Sequence, residues 1–454
     1  MGSIEAVGKK SPFVQQPKVN VALSHSDGNI KIKRLNSTTI ETSAKTEVNF
    51  QSAMNGFDKC CKILFFKNLK SLPKGVLCIE DGGQQRILGD PSNGGIHATI
   101  SVNHKDFYRS FVLGGSVGAG EAYMHGYWNT PNLVNVIQLM ASNVDWLNRW
   151  DKSAIPITRV SNKIYHWMNR NTVIGSQKNI AAHYDLSNDF FELFLDPMMM
   201  YSSAIFPTVT TSLEEASLNK LDTICKGLQL TEKDHLLEVG TGWGGLAIHA
   251  AKNYGCRVTT TTISQEQYSY ACERVRSEGL EDKVTLLLED YRSLEGQFDK
   301  LVSIEMIEAV GDIYYDTYFL TCSKLLKNNG LMFLQAITIP DQRYKFALQS
   351  VDFIQRYIFP GGGLPSHSRI SGCIANSTDM QMVKMDEIGL SYAETLHHWR
   401  ERFHQKLDKV TALGFDDTFV RMWEFYLCYC EGGFRERIIS TAQYLIAKPG
   451  WRPQ

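Results

Sequence analysis

The hydrophobic pattern in the second half of the chain alternates between short apolar runs and longer segments with helical spacing. The short runs are expected to be strands at 236–239, 256–263, 284–288, 300–304 and 331–337. Strands that alternate with helices are typical of a doubly wound parallel sheet. Residues 181–454 are therefore predicted to form an α/β domain with a Rossmann-like core.

The pattern before residue 181 is weaker and divides into three parts. Residues 1–56 are rich in Ser, Thr, Lys and Asn with little periodicity, which predicts a disordered or extended arm. Residues 57–145 predict a small α+β module, and residues 146–180 predict a helical linker. Within the module, strands are expected at 75–79, 85–88 and 97–102, and a short amphipathic helix at 106–113.

Composition and charge exclude several classes of protein. The 454 residues include 43% hydrophobic and 21% charged residues, and the formal net charge is −1. Without an overall basic field, nucleic acid is not an expected partner, and membrane contact must come from a local patch. The ten cysteines show no metal-binding spacing, and no apolar run reaches transmembrane length. We therefore expect a reduced, cytoplasmic protein without a metal site, which contacts membranes only peripherally.

A glycine-rich loop follows the first predicted strand of the α/β domain. Gly240 and Gly242 allow the backbone to pass close to a ligand, and the loop delivers free N–H groups at a helix start. The spacing is GxGxGG rather than GxGxxG, and residues 260–262 are all Thr, without the acidic residue that binds a dinucleotide ribose. S-adenosylmethionine is therefore favoured over NAD.

Two further segments complete the predicted cofactor site. Ser264 is expected to cap the helix after the second strand, and Gln267, three residues later, to complete a capping box. Asp290 and Tyr291 follow the third strand, at a spacing that suits partners for the amino group and the ring of an adenine.

Six separated blocks of sequence then follow one another in a fixed order. They are HYDLSNDFF at 183–191, YSSA at 201–204, TISQEQ at 262–267, IEAVG at 307–311, YIFPGGGLPS at 357–366 and TLHHWRERF at 395–403. In this order they resemble the cyclopropane-fatty-acyl-phospholipid synthase family, which includes mycolic acid methyltransferases and plant members. The resemblance covers about residues 57–445. It implies a class I S-adenosylmethionine methyltransferase fold with an N-terminal module similar to small lipid-carrier domains.

The resemblance also implies a reaction. A methylene group from S-adenosylmethionine is added to a cis double bond of an unsaturated phospholipid acyl chain, through a carbocation that closes to a cyclopropane. In the family, a bound bicarbonate takes the proton. Carried over onto this sequence, Glu308 matches the carboxylate that holds the bicarbonate, and Tyr392 matches a hydroxyl group. Ser203 stands where many members have Cys, and Gln335 stands where bacterial members have His.

Three residues in the matching blocks, Tyr201, Ser202 and Thr262, are implied cofactor contacts. Tyr318 belongs to an aromatic stripe that follows Glu308 on a predicted helix. Aromatic faces stabilise a transient cation without reacting with it, so Tyr318 is a candidate for that role. Core packing is the alternative interpretation of the stripe.

Two departures from the family pattern leave the substrate open. Ala309 replaces the usual His after the glutamate, and Gly363 replaces the usual Cys. A different alkene or an amine is therefore the enzymatic alternative to a phospholipid acyl chain. The alternative outside enzymes is a lipid-binding protein without catalysis, against which the intact glycine loop and Glu308 argue. A membrane surface is an expected partner, and a homodimer is left open.

Overall fold

The computed structural model describes residues 54–151 and 186–453 of the chain. Most of the predicted N-terminal arm, most of the predicted helical linker and the start of the HYDLSNDFF block lie outside these residues. The described helices are numbered here in chain order, and so are the strands.

The N-terminal part of the described chain forms a four-stranded sheet in the order β2-β1-β3-β4, with helices packed against it. The pair β1–β3 is parallel, whereas β1–β2 and β3–β4 are antiparallel. The strands are β1 Val76–Asp81, β2 Gln84–Leu88, β3 His97–Val102 and β4 Trp128–Asn129. The helices are α1 Gly56–Leu69, α2 Phe107–Met124, α3 Leu133–Ser142 and α4 Val144–Asp151.

The larger sheet has, within the described residues, seven strands in the order β10-β11-β9-β8-β5-β6-β7. Strands β5 to β9 pair in parallel and confirm the predicted Rossmann-like core. They are β5 His235–Val239, β6 Arg257–Thr262, β7 Val284–Leu288, β8 Phe298–Ile304 and β9 Leu326–Thr338. The strands β10 Gln381–Glu387 and β11 Ser440–Ala447 add an antiparallel edge that the sequence pattern did not predict.

Helices cover the larger sheet and connect its strands. Before β9 they are α5 Asn188–Phe191, α6 Leu213–Gly227, α7 Gly245–Asn253, α8 Gln265–Ser277 and α9 Tyr315–Leu325. After β9 they are α10 Asp341–Ala347, α11 Phe353–Tyr357, α12 His367–Ser377, α13 Gly389–Gln405, α14 Leu407–Ala412 and α15 Asp417–Arg435. No helix in the described parts of the chain is long and apolar enough to cross a bilayer.

Helix α2 is much longer than the short helix predicted at 106–113. It runs to Met124 and is kinked at Gly115, whose φ of 53° lies in the left-handed region. Four glycines between 114 and 120 give this stretch the composition of a loop, because glycine favours neither helix nor strand. The structure instead uses one of them, Gly120, for close packing of α2 against Phe353 and Phe425.

One hydrophobic core joins the N-terminal sheet to the C-terminal helices. It includes Leu77 and Trp128 from the N-terminal part and Trp423 from α15, all nearly inaccessible to solvent. Polar contacts cross the same boundary: the Tyr123 hydroxyl donates to Glu424 at 2.8 Å, and Arg421 donates to the Trp128 carbonyl at 2.9 Å. The N-terminal module is therefore fixed against the helices that surround the larger sheet.

The close approach at Gly120 gives a stability prediction. A Cβ there would lie 2.5 Å from Phe353 Cδ2, whereas a Cβ at Gly114 in the same helix would meet nothing within 4 Å of the described chain. Because Phe353 is fully buried and cannot move aside, Gly120→Ala should lower the free energy of unfolding by about 1–3 kcal/mol. Gly114→Ala is the matched control and should be neutral or raise it by up to about 1 kcal/mol. Equal effects of the two substitutions in denaturant unfolding would contradict this packing.

Candidate active site

The glycine-rich loop connects β5 to α7 at the carboxyl edge of the parallel strands, where ligands bind in such sheets. Gly240, Gly242 and Gly244 have φ values of 103°, 53° and 84°, which a residue with a Cβ rarely adopts. A Cβ on Gly242 would meet no atom of the described chain within 4 Å, so this face of the loop is open. The loop therefore has both the conformation and the free face that a close ligand requires.

The end of β6 is tied to this loop. Gly240 and Thr241 both donate their backbone N–H groups to the Thr261 carbonyl, at 3.1 and 3.0 Å. The next residue, Thr262, donates its hydroxyl to Gln267 Oε1 at 3.0 Å. Ser264 caps α8 as predicted, but the Gln267 side chain binds Thr262 instead of completing a capping box. The buried Gln267 amide is thus held in one orientation near the glycine loop.

Asp290 and Tyr291 follow β7, as the sequence predicted, but Asp290 already has a partner. Its carboxylate accepts from the Arg292 backbone at 2.9 Å and from the Arg292 guanidinium at 2.8 and 2.6 Å. Tyr291 lies edge-on to Tyr318, with ring centroids 5.6 Å apart. Contacts of Asp290 and Tyr291 with an adenine remain a prediction.

Three of the predicted catalytic residues converge on a carboxylate that the sequence analysis did not single out, that of Glu305. Glu305 Oε1 accepts from the Ser203 backbone N–H at 3.0 Å and from Gln335 Nε2 at 2.8 Å. Glu305 Oε2 accepts from the Tyr392 hydroxyl at 2.8 Å. The Ser203 hydroxyl itself donates to the Ala204 carbonyl, so Ser203 contributes its backbone rather than its side chain.

Glu305 directly follows β8 and has a φ of 49°. The left-handed region is uncommon for residues other than glycine, and such strained residues cluster at functional sites. The backbone is held there by a bond from the Glu305 N–H to the Gln335 carbonyl, at 2.8 Å, on the neighbouring strand β9. No sequence signal marks this conformation, because a glutamate after a strand usually indicates a solvated turn.

Glu308 lies near Glu305 but has different partners. Its Oε1 atom accepts from the Ile337 backbone N–H at 2.5 Å, and its buried Oε2 atom has no hydrogen-bond partner in the described chain. Burial, and then the negative charge of Glu305, raise the pKa of Glu308 to about 8. The Gly363 N–H donates to the Glu308 carbonyl at 2.8 Å, which fixes the 357–366 block against this segment. Glu308 is thus a buried carboxyl group that favours the protonated form.

A buried lysine supports the same centre. Lys220 is fully inaccessible to solvent, and its ammonium group donates to Ser202 Oγ at 2.7 Å. Burial lowers the pKa of Lys220 to about 8, while the charges of Glu305, Asp196 and Glu238 oppose this fall. Sequence reasoning did not identify Lys220, because lysine on an amphipathic helix is normally solvated.

Aromatic side chains surround the Glu305 centre. The Tyr201 ring stacks on Trp399 at 5.3 Å, and the Tyr201 and Tyr426 hydroxyl groups are 2.9 Å apart. Tyr392, whose hydroxyl binds Glu305, stacks on Phe434 with the ring centroids 4.5 Å apart. Low exposure and aromatic faces make this a site of low polarity around one strongly hydrogen-bonded carboxylate.

Tyr318 does not belong to this aromatic surround. It is fully buried beneath Tyr291, and its ring packs edge-on against Phe319. These contacts favour the alternative interpretation, core packing of α9 against the sheet. The cation-stabilising role is better suited to a partly exposed ring near the Glu305 centre, such as that of Tyr201.

A family model described as mycolic acid cyclopropane synthetase matches residues 172–444, a span that contains the glycine loop, Glu305, Glu308 and Tyr392. The chain belongs to this family. Its fold and its resemblance to the cyclopropane synthases are thereby confirmed, and it is an S-adenosylmethionine-dependent methyltransferase.

Three similar proteins show how far the likeness to cyclopropane synthases extends. The chain is 40% identical to the tuberculostearic acid methyltransferase UfaA1 of Mycobacterium tuberculosis, over 74% of this chain and 80% of that protein. It is 38% identical to the cyclopropane-fatty-acyl-phospholipid synthase of Escherichia coli, over 78% and 89%. The solved structure of mycolic acid cyclopropane synthase CmaA1 complexed with SAH and CTAB matches with a TM-score of 0.56 at 31% identity, over 60% of this chain and 98% of that one.

The residues present fit S-adenosylmethionine. The open face at Gly242 is a cradle that a Cβ would fill, and Gly240 lies against Met306, the residue after Glu305: a Cβ on Gly240 would be 3.3 Å from Met306 Cγ. The predicted cofactor residues near the loop and the carboxylates thus lie at one edge of the sheet. The individual cofactor roles of Tyr201, Ser202, Thr262 and Gln267 remain predictions.

The glycine loop gives a binding prediction. Gly242→Ala should weaken S-adenosylhomocysteine binding at least about tenfold, because the new methyl group occupies the space that the ligand needs. Gly279 is a matched control, since it has a φ of 65° and a Cβ there would also meet nothing within 4 Å of the described chain. Gly279→Ala should carry the same conformational strain and keep full affinity in calorimetric titration. Unchanged affinity in Gly242→Ala would contradict the site.

The raised pKa of Glu308 gives a prediction about pH. Between the ordinary pKa of 4.5 and the folded-state pKa of about 8, the folded protein holds a proton that the unfolded chain has lost. Wild-type stability therefore falls as pH rises through this window. Glu308→Gln has no proton to lose, so it should match wild type at about pH 5 and exceed its Tm by about 4 °C at about pH 8.5. Glu273→Gln, at an exposed glutamate, is the control. A Tm difference between Glu308→Gln and the wild type that does not change with pH would contradict this assignment.

Proposed function

We propose that this protein adds a methylene group from S-adenosylmethionine to a cis double bond of an unsaturated phospholipid acyl chain, giving a cyclopropane. The single observation that carries the proposal is the Glu305 centre, a hydrogen-bonded carboxylate within an aromatic surround beside the glycine loop. The likeness to the Escherichia coli cyclopropane-fatty-acyl-phospholipid synthase over most of both chains supports a phospholipid substrate.

The chemistry of an alkene explains why such a site is needed. S-adenosylmethionine supplies an electrophilic methyl group, and an alkene is a weak nucleophile that must be held against it without water. The carbocation that results is stabilised by an aromatic face, here that of Tyr201, which attracts a cation without capturing it. A base must then remove one proton, which buried carboxylates beside the site can do.

The product distinguishes two candidate functions. Removal of a proton from the new methyl group, with closure of a C–C bond, gives a cyclopropane. The 40% identity to a tuberculostearic acid methyltransferase favours a second candidate without ring closure. In it, a hydride shift moves the cation to the methylated carbon, and loss of a proton from the new methyl group leaves a C=C bond, a methylene branch. Both reactions use the same methyl transfer and the same cation, and they differ only in the fate of that cation.

The outward face of α1 is a proposed membrane contact. Phe57, Ile63 and Leu64 expose 55%, 67% and 38% of their surfaces on this helix, although large apolar side chains are usually buried. Lys59 and Lys67 are exposed on the same helix. Apolar side chains among basic ones suit the surface of an anionic bilayer, where the ammonium groups meet phosphate and the apolar groups enter the interface.

Mass spectrometry of the lipid product tests the proposal. The purified protein, S-adenosylmethionine and vesicles of cis-unsaturated, partly anionic phospholipid should give acyl chains heavier by one CH2 unit. A ring resists mild hydrogenation, whereas a methylene branch takes up hydrogen, so the same sample separates the two candidates. Vesicles with saturated chains are the control. Methyl transfer to small amines, with none to unsaturated chains, would contradict the proposed function.

A further inference from the structure

We propose that the Glu305 carboxylate is the proton acceptor of this reaction and takes the place that a small bound oxyanion would occupy. This inference rests on the proposed function, since it assigns the base for the cation formed there. It differs from the expectation drawn from the family resemblance, in which bicarbonate is held by Glu308, Tyr392, Ser203 and Gln335.

The hydrogen bonds of Glu305 are the first support. Ser203 N–H, Gln335 Nε2 and the Tyr392 hydroxyl come from three separate parts of the chain and all donate to this one carboxylate. Two of the three donors are side chains that the resemblance assigns to the bicarbonate. With these donors engaged, an added oxyanion would have to displace Glu305 and leave its charge buried without partners, which costs several kcal/mol.

The backbone of Glu305 is the second, independent support. Its φ of 49° is strained for any residue with a side chain, and glycine would adopt it freely. A glutamate is kept here at a conformational cost, and this conformation aims its carboxylate at the three donors. Strain of this kind is expected where function requires a group in one position.

The charges around the centre are consistent with an ionised Glu305. Burial raises the pKa of both Glu305 and Glu308, and two negative charges so close in a site of low polarity repel each other. Glu305 has three donors and the charge of Lys220 nearby, whereas the Glu308 carboxylate has one backbone donor. The pair therefore holds one negative charge, which is better stabilised on Glu305, and one proton, which is held by Glu308.

The proposed step balances in atoms and charge. The alkene electron pair forms the new C–C bond to the methyl carbon, and the S–CH3 bond breaks with its pair on sulfur, leaving the adjacent carbon positive. Glu305 takes a proton from the new methyl group, and the C–H pair forms the second ring bond. The carboxylate becomes a neutral acid, which returns the proton to water after product release.

Two substitutions at position 305 test the assignment. Glu305→Gln keeps the shape and can keep the bonds from Ser203 and Gln335, but it cannot accept the proton. Turnover on unsaturated vesicles should fall by about a hundredfold or more with S-adenosylhomocysteine affinity unchanged. Glu305→Gly suits the backbone conformation and frees the three donors, so added bicarbonate should raise its low turnover at least about tenfold. Bicarbonate depletion should leave the turnover of the wild-type protein unchanged.

The outcomes separate this inference from the proposed function. Near-normal turnover in Glu305→Gln, loss of wild-type activity on bicarbonate depletion, or no effect of bicarbonate on Glu305→Gly would each overturn the assignment of Glu305 while the wild type still makes product. If the wild type yields no methylated acyl chain on any vesicle, the proposed function fails and the inference fails with it.

Discussion

The stabilisation of one negative charge away from water determines how residues are arranged at the carboxyl edge of the parallel strands. Glu305 directly follows β8, and its donors come from β9, from α13 and from the segment before α6. The three donors come from parts of the chain that are far apart in sequence from one another. A buried carboxylate without hydrogen-bond donors would be strongly unfavourable. The ionised form of Glu305 therefore depends on the correct packing of the parts of the chain that supply its donors.

The surrounding structure keeps this centre dry and close to the cofactor loop. Gly240 lies against Met306, so the loop between β5 and α7 is adjacent to the segment that carries both carboxylates. The C-terminal helices contribute Tyr392, Trp399 and Tyr426 to the aromatic surround. Helices α2 and α3 of the N-terminal module pack on α15, and the module therefore supports the helices that surround the site.

The sequence predicted the parts of this structure that have a local physical signal. The parallel strands are short apolar runs, and the glycine loop has a distinctive spacing, so both were found and confirmed. Strand β10 was missed because nearly all its residues are exposed and polar or mixed, which leaves no hydrophobic pattern. The length of α2 was missed because four of its residues are glycines, a composition typical of a loop, although Gly118 and Gly120 pack closely within the helix.

The candidate site was predicted less completely, for a different reason. Tyr392, Gln335 and Ser203 were identified from the family resemblance, yet the residue on which they converge, Glu305, lies just before the IEAVG block. Its left-handed backbone and its long-range partners are tertiary features that no local pattern encodes. Tyr318 shows the converse: a tyrosine close to a catalytic motif suggested chemistry, but its ring packs in the core.

The most direct test of the central claim is a crystal structure of the protein with S-adenosylhomocysteine, grown in the presence of bicarbonate. We expect the Glu305 carboxylate to accept hydrogen bonds from the Ser203 N–H, the Gln335 amide and the Tyr392 hydroxyl, with no anion among these donors. A carbonate or bicarbonate ion bound to Tyr392 and Gln335, with the Glu305 side chain turned away, would contradict it.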